Sequence, residues 1–487
     1  MRISSTIPCV RNANGSGHEQ RRQTDGPGKD EVNRMNDFRK TAQEMLEFIR
    51  ISPTCFHAVA NIGRMLEAAG FQQLQEKEEW KLEKGGRYYT ERNDSSVIAF
   101  VIPEKEVGIR GFHMAAAHSD SPCFKIKEKP ELTVEEHYLR LNTEKYGGMI
   151  LSTWLDRPLS VAGRLVVKNG NGIEGRLVNI DRDLCVIPNV AIHMNREMNK
   201  GVEYNPQVDL LPLLADVSFD EYDAHTTYDA QTASENAEEQ PEAVEKPTLA
   251  ALAAETAGVD AETILGEDLF LYTRQEGKMI GAKGEFVLSP RLDDLQSAFA
   301  LTKAFTESTP AEYINVCAVF DNEEVGSGTR QGADSTFLED TLQRITEGLQ
   351  EGHSTYLRWV ADSFLISADN AHAVHPNHPE KADPANRPYL NGGIVIKYHG
   401  SQKYTTDGIS AAKMKDYCER AKVPYQTYAN RSDIAGGSTL GNISTAHVSV
   451  SSVDIGLPQL AMHSAVETAG MKDTEYAVRA LKEFWGE

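Results

Sequence analysis

The stretch Ile314-Asn-Val-Cys-Ala-Val-Phe320, followed directly by Asp321-Asn-Glu-Glu-Val-Gly-Ser327, sets the fold expected of this chain. Its first half is an apolar run that predicts a buried strand. Glu323 and Glu324 come just after that strand, where paired carboxylates are costly unless a cation compensates them. One glutamate can bind a metal ion while the other accepts a proton from a water that the metal activates. Taken alone, the pair also fits a solvated turn.

Other acidic and histidine side chains follow short apolar runs as well. His118 and Asp120 follow the strand-like run 111–117. Residues two apart on a strand point to the same face, so Asp120 can orient the His118 ring through a hydrogen bond. Three further candidate ligands are Asp293, Asp369 and His463. Each has a structural explanation by itself, but together they predict a metal site at the carboxyl ends of strands in an open α/β sheet.

Five segments resemble the aspartyl aminopeptidase family of dizinc exopeptidases, and they occur in the order found in that family. The segments are Ala117-His-Ser-Asp-Ser-Pro122, Ser289-Pro-Arg-Leu-Asp-Asp-Leu295, Phe320-Asp-Asn-Glu-Glu-Val-Gly-Ser327, Ser367-Ala-Asp-Asn-Ala-His-Ala-Val-His-Pro-Asn377 and Ala461-Met-His-Ser-Ala-Val-Glu467. The resemblance extends from about Phe38 to the C-terminus. It implies a metallo-aminopeptidase that removes N-terminal Asp or Glu from peptides.

The expected fold class is α/β, because short strands alternate with helices. The resemblance implies a split zinc-peptidase domain with a mostly parallel central sheet, plus an inserted β-rich dimerisation domain. The expected divisions are a disordered N-terminal extension at 1–36, peptidase segments at 37–122 and 268–487, and the insert at 123–267.

Local patterns place helices and a linker within these divisions. Apolar spacing predicts helices at 37–51 and 57–69, and helical patterning recurs at 248–257 and 260–265. Within the insert, an acidic linker is expected at about 217–247, because this tract holds too little apolar surface to fold alone.

The resemblance also implies a cofactor. Two divalent metal ions per chain are expected, zinc first, with cobalt or manganese as alternatives. Asp293 would bridge both ions. His118 and Glu324 would complete one site, and Asp369 and His463 the other.

Further roles follow from the same resemblance. Glu323 is the expected general base, and Asp120 orients a ligand histidine. Lys397 aligns with a lysine that meets the acidic side chain of the substrate; a solvated lysine at a strand end is the alternative. His193, in the insert, aligns with a histidine that reaches a neighbouring subunit's site; a surface histidine is the alternative. Asp294 is expected either to support the metal site or to cap a helix.

Bulk properties narrow the class of protein. The chain has 72 acidic and 50 basic residues and a formal net charge of −22, which argues against nucleic-acid or anionic-membrane partners. Its six cysteines form no Cys-x-x-Cys pair, which favours reduced thiols and a cytoplasmic enzyme. The resemblance implies a homo-oligomer, a dodecamer built from dimers.

Two alternatives remain at this level. The same metals can serve an aminopeptidase of broader or neutral specificity, or a deacylase. From another class, the chain can be a non-catalytic assembly or cargo protein. The complete set of predicted ligands together with Glu323 argues against the second alternative.

Overall fold

A computed structural model describes residues 29–104, 108–217, 248–437 and 439–487. The first 28 residues of the predicted N-terminal extension, and all but the first residue of the predicted acidic linker, lie outside this description. Within it, no helix is long and apolar enough to cross a membrane.

The described residues form nine α-helices and twenty strands. The helices are α1 (Lys29–Arg50), α2 (Cys55–Ala68), α3 (Leu249–Ala257), α4 (Leu292–Thr306), α5 (Phe337–Gly348), α6 (His353–Ala361), α7 (Gly408–Arg420), α8 (Leu440–His447) and α9 (Asp473–Trp485). The earlier strands are β1 (Gln72–Gln73), β2 (Arg87–Arg92), β3 (Ser96–Val101), β4 (Phe112–His118), β5 (Cys123–Val134), β6 (Tyr138–Tyr146), β7 (Leu159–Asn169), β8 (Gly172–Asn179), β9 (Leu213–Asp216) and β10 (Ile264–Thr273). The later strands are β11 (Lys278–Ile280), β12 (Phe286–Ser289), β13 (Ile314–Phe320), β14 (Phe364–Ala368), β15 (Ala371–His372), β16 (Ile394–Tyr398), β17 (Tyr425–Ala429), β18 (Ser451–Gly456), β19 (Pro458–Leu460) and β20 (Glu467–Gly470).

The largest sheet has nine strands in the order β1-β2-β3-β13-β4-β14-β18-β16-β17. Its four central strands, β13, β4, β14 and β18, are parallel, and antiparallel strands flank them. Successive side chains of β4 point to opposite faces of the sheet, so Ala115 joins a core with α1, α4 and α9, while Met114 joins a core with α5 and α6. Helices therefore cover both faces, which confirms the α/β class.

A second sheet is entirely antiparallel. Its order is β8-β7-β10-β5-β6-β9, and α3 packs against its apolar core through Leu249 and Ala253. A turn at 169–172 joins β7 to β8, and Asn169 and Gly172 pair across it. A third, five-stranded sheet has the order β11-β12-β20-β19-β15, and His463 lies in the loop between two of its strands, β19 and β20.

The N-terminal helix is longer than the sequence predicts. It begins at Lys29 and not at Asp37, so residues 29–36 are helical and the prediction of disorder fails for them. These residues lack apolar spacing and gave no helical signal, but Met35 packs against the core and extends the buried face of the helix by a turn.

The helical prediction at 260–265 is wrong. Asp260 caps a single 3-10 turn, Ala261–Thr263, by accepting from the Glu262 N–H, and β10 begins immediately afterwards. The β-branched Ile264 pairs with Val167 of β7, so sheet pairing overrides the local helical preference. The predicted domain boundary at residue 267 also falls inside β10, which stays paired with β7 as far as Thr273.

Candidate metal centre

Three neighbouring parallel strands bring their carboxyl ends to one edge of the nine-stranded sheet. Phe320 at the end of β13 is in register with His118 at the end of β4. On the other side of β4, Ser367 of β14 pairs with Ala116, which brings Asp369 to the level of His118. The apolar runs thus place these side chains together, as open α/β sheets place their ligands.

Two loops complete the cluster from outside the sheet. Asp293 lies at the start of α4, where its backbone is extended (φ −84°, ψ 107°) and its peptide bond to Asp294 is cis. His463 lies in the loop between β19 and β20 and adopts a left-handed backbone conformation (φ 65°), which is uncommon for a residue other than glycine.

The predicted ligand atoms form two overlapping groups that share Asp293. In each group the ligand atoms lie within 4.8 Å of one another. One group contains His118, Asp293 and Asp369, and the other contains Asp293, Glu324 and His463. His463 Nε2 lies 3.3 Å from Asp293 Oδ2 and 3.4 Å from Glu324 Oε1, and His118 Nε2 lies 3.8 Å from Asp293 Oδ1.

These two groups differ from the predicted pairing of the outer ligands, although a further group keeps the predicted pair His118 and Glu324 together. His118 is grouped with Asp369 and Asp293, and Glu324 is grouped with His463 and Asp293. The reason is the strand order: β4 lies directly beside β14, so the residues that end these two strands are neighbours although they are distant in sequence. A third group also brings His118 near Glu323 and Glu324.

Asp120 lies at the centre of a hydrogen-bond network behind the ligands. His118 Nδ1 is 3.3 Å from Asp120 Oδ1 and 3.0 Å from the Asp120 carbonyl oxygen, so a proton on Nδ1 leaves Nε2 facing the cluster. The Asp120 carboxylate also accepts from the backbone N–H groups of Glu323 and Glu324, at 3.2 and 3.1 Å, and from the Tyr146 hydroxyl at 2.7 Å. One aspartate therefore links a ligand histidine to the glutamate pair.

The cluster has an excess of negative charge. Burial raises the pKa of Asp369 to about 6 and that of Glu323 to about 7, and it raises the pKa of Glu324 well above its usual range. Burial would lower the pKa of His463, but the hydrogen bond to Asp293 and the charge of Glu324 raise it to about 10. Because both the carboxylates and the histidine have raised pKa values and so favour their protonated forms, the site attracts positive charge.

The donor set fits divalent metal ions. Two imidazoles and three carboxylates suit zinc and similar metals. Asp293 Oδ1 and Glu324 Oε1 are buried and have no hydrogen-bond partner among the described residues. Buried carboxylate oxygens are costly without a partner, and coordination to a cation would satisfy both.

Lys397 reaches the same edge from β16. It is 2% exposed, and its Nζ donates to the carbonyl oxygens of Asp369 at 2.7 Å and of Asn370 at 3.3 Å. The Asp369 carboxylate lies 3.5 Å from Nζ. Burial would lower the pKa of Lys397, but the charge of Asp369 raises it. The structure thus brings a buried ammonium next to a predicted ligand.

His193 is not part of the cluster. It lies in an exposed turn of the chain segment that carries the antiparallel sheet, between the exposed side chains of Ile192 and Met194. His375 and His378 lie in an exposed loop with their ring centroids 5.2 Å apart.

Asp294 and Glu467 accept hydrogen bonds from the backbones of ligand residues, whereas Tyr146 acts on the site through Asp120. Asp294 is fully buried and accepts from the His118 N–H at 3.3 Å, which favours support of the site over helix capping. The sequence motifs assign no role to Tyr146 or Glu467. Glu467 lies in the segment 461–467 that contains His463, so its acidic character is a usable signal, whereas nothing in the sequence marks Tyr146.

Residues 48–485 match the family model described as Aminopeptidase I zinc metalloprotease (M18). A probable M18 family aminopeptidase 2 from Clostridium novyi (strain NT) is 47% identical over 448 residues, which cover 92% of this chain and 98% of the relative.

Solved structures share the fold over nearly the whole chain. A chain in the cryo-EM structure of the Ape4 and Nbr1 complex aligns with a TM-score of 0.85 and 36% identity, covering 93% of this chain and 86% of that chain. A chain of the S. cerevisiae mApe1 dodecamer aligns with a TM-score of 0.77 and 25% identity, covering 92% of this chain and 97% of that chain.

Proposed function

Since the chain belongs to the M18 family of zinc aminopeptidases, it is a metal-dependent exopeptidase, and we propose that it removes N-terminal aspartate or glutamate from peptides. The observation that carries the acidic preference is the buried ammonium of Lys397 beside the predicted ligand Asp369. A substrate carboxylate that enters this buried edge would need a cation there, because an unpaired buried charge is costly.

Two zinc ions are proposed to lie on either side of Asp293. The first would be held with His118 and Asp369, and the second with Glu324 and His463. When bound, zinc would supply Lewis-acid chemistry, polarising the peptide carbonyl and lowering the pKa of water. The unpartnered oxygens of Asp293 and Glu324 support this assignment.

Glu323 is proposed as the general base. Its carboxylate lies beside the ligand cluster, and burial raises its pKa to about 7, close to the value that suits proton transfer at neutral pH. It would accept the proton of the attacking water and then deliver it to the amine that leaves. Asp120 holds the backbone of Glu323 and fixes the tautomer of His118, so both steps would start from a set geometry.

A broader or neutral specificity is the second candidate, and one observation favours it. The Lys397 ammonium already donates to two backbone carbonyls and lies near the Asp369 carboxylate. A lysine occupied in this way can serve mainly to hold Asp369. Hydrolysis of Asp-, Glu- and Leu-peptides, with and without chelator, separates the candidates: the acidic preference is wrong if the Leu-peptide is cleaved as efficiently as the other two.

We further propose a homo-oligomer in which His193 completes a neighbouring site. An mApe1 relative is a dodecamer, and the exposed apolar side chains of Ile192 and Met194 beside His193 are suited to an interface. A dodecamer built from dimers is the proposed assembly, tested by native mass spectrometry. A cytoplasmic location is supported by the free thiols of the five cysteines in the described residues, and fractionation tests it.

A further inference from the structure

We propose that Glu467 is a positioning residue that fixes the backbone of two metal ligands at once. This inference rests on the proposed zinc site. Glu467 is 2% exposed, and each of its carboxylate oxygens accepts one backbone N–H: Oε1 from His463 at 2.7 Å and Oε2 from Asp293 at 3.0 Å. Among the described residues, the two ligand backbones are the hydrogen-bond donors to this carboxylate.

The two ligand segments need such a link because neither is held by regular structure. Asp293 lies at the irregular start of α4, after Arg291, whose φ of 55° is left-handed. His463 is itself left-handed, as is Ala461 two residues earlier. Left-handed residues other than glycine persist only where surrounding contacts hold them. The Glu467 carboxylate is such a contact for His463.

Glu467 is itself held in place by the third sheet. It is the first residue of β20 and pairs with Ser289, the last residue of β12. Three residues separate Ser289 from Asp293, and three separate His463 from Glu467. A rigid pair of strands thus carries the carboxylate to the point where both ligand loops leave the sheet.

The ring of His463 is fixed separately. Its Nδ1 lies 3.1 Å from the Gly148 carbonyl oxygen, so a proton on Nδ1 leaves Nε2 toward Asp293 and Glu324. Gly148 therefore sets the tautomer, and Glu467 sets the backbone from which the ring extends. Since His463 belongs to one ligand group only, loss of Glu467 should weaken the zinc held with Glu324 more than the zinc held with His118.

The test is zinc binding by the full-length chain. Metal-free wild-type protein, Glu467→Gln and a control are titrated with Zn²⁺ by calorimetry in the presence of a competing chelator. Glutamine offers one acceptor oxygen, and its amide group would face an N–H. We expect one zinc affinity to fall about 10- to 100-fold, the usual effect of removing a group that orients a metal ligand, and the other to fall less.

Asp473→Asn is the matched control. Asp473 is also fully buried, and its two oxygens also accept backbone N–H bonds, from Asn391 at 2.7 Å and from Gly393 at 2.9 Å. The substitution removes the same kind of contact without touching a predicted ligand. Its zinc affinities should equal those of the wild type, while the melting temperature of the metal-free protein should fall in both variants.

The outcomes separate this inference from the proposed function. If wild-type protein does not bind two zinc ions, the proposed metal site fails. If it does, unchanged zinc binding by Glu467→Gln, or an equal loss in Asp473→Asn, overturns the positioning role. Should Glu467→Gln not fold, Glu467→Asp is judged by the same criterion, because the shorter side chain keeps the charge but cannot reach both N–H groups together.

Discussion

The two ends of strand β4 hold histidines in opposite surroundings. His113, at the amino end, is stacked between Tyr313 and Phe484 with centroid distances of 3.7 and 4.6 Å, and burial lowers its pKa to about 4. Burial would also lower the pKa of His118, at the carboxyl end, but Asp120 and Asp294 raise it well above its usual value. Both rings are buried, so it is the neighbouring groups that decide the charge of a histidine in this sheet.

Removal of metal should abolish the activity of the site at the carboxyl end of β4. Without a cation, the buried carboxylates of the ligand cluster are uncompensated, and the Lewis-acid contribution is lost. We expect complete loss of peptide hydrolysis on chelation and recovery with Zn²⁺, Co²⁺ or Mn²⁺. Elemental analysis should give two ions per chain; full activity with one ion would remove Asp293 from its bridging role.

Glu323→Gln should lower kcat by about 10²- to 10⁴-fold, the range for loss of a general base, because an amide cannot accept the proton of the attacking water. Zinc content should not change, since Glu323 is not a proposed ligand. Steady-state kinetics and elemental analysis on the same preparation check both statements. Near-normal kcat with full metal content would assign the base elsewhere.

His193→Ala should show that the catalytic site needs a residue from a neighbouring subunit. If His193 helps to hold the transition-state oxygen across an interface, its loss should cost about 10²- to 10³-fold in rate. Co-assembled His193→Ala and Glu323→Gln chains should then regain part of the wild-type rate, because an intact base meets an intact histidine. Mixed oligomers, verified by native mass spectrometry, that are no more active than the average of the two mutants would exclude a shared site.

Lys397→Met distinguishes two roles of the buried ammonium. A hydrogen bond to a charged group contributes about 1.5–3 kcal/mol, so loss of an ammonium that binds the substrate carboxylate should lower the Asp-over-Leu ratio of kcat/KM by about 10- to 100-fold. If Lys397 only holds Asp369, both substrates should lose activity equally and the ratio should stay constant. The ratio, and not the activity itself, is the measurement.

His113→Phe should change the pH dependence of stability and leave activity at neutral pH unaltered. The pKa of His113 is lower in the folded chain than its ordinary 6.5, so its neutral form stabilises the fold above pH 6.5, and this stability is lost as the pH falls toward 4. The full loss is about 3 kcal/mol. Phenylalanine keeps the ring stack without the proton, so urea unfolding at pH 7 and pH 5 should differ less in the variant; an equal difference would show that His113 does not titrate in this range.

The sequence predicted best those features that depend on neighbouring residues in the chain. The apolar run at Ile314–Phe320 is a strand with the predicted bounds, because an acidic residue follows its end. His118, Glu324 and Asp369 meet because each follows the carboxyl end of a parallel strand, and Asp293 and His463 join them from loops. The metal-binding roles of these five residues remain predictions, which the chelation and zinc-titration experiments test.

What the sequence did not predict depends on long-range contacts. The grouping of His118 with Asp369 follows from the order of strands in the sheet, which no local pattern encodes. The strand at Ile264 replaces a predicted helix because a distant partner strand was available. The link from Glu467 to Asp293 joins residues 174 positions apart, so only the folded chain reveals it.

The position of the ligands along the chain has a consequence for biosynthesis. His118 precedes the antiparallel sheet, whereas the four other proposed ligands follow it, His463 close to the C-terminus. A nascent chain therefore carries one ligand until that whole sheet has been made, and contacts of such sequence separation form late. We expect refolding to reach the native sheets at the same rate with and without zinc, as pulsed hydrogen exchange would measure. Loading with metal would then mark molecules whose sheets are already folded.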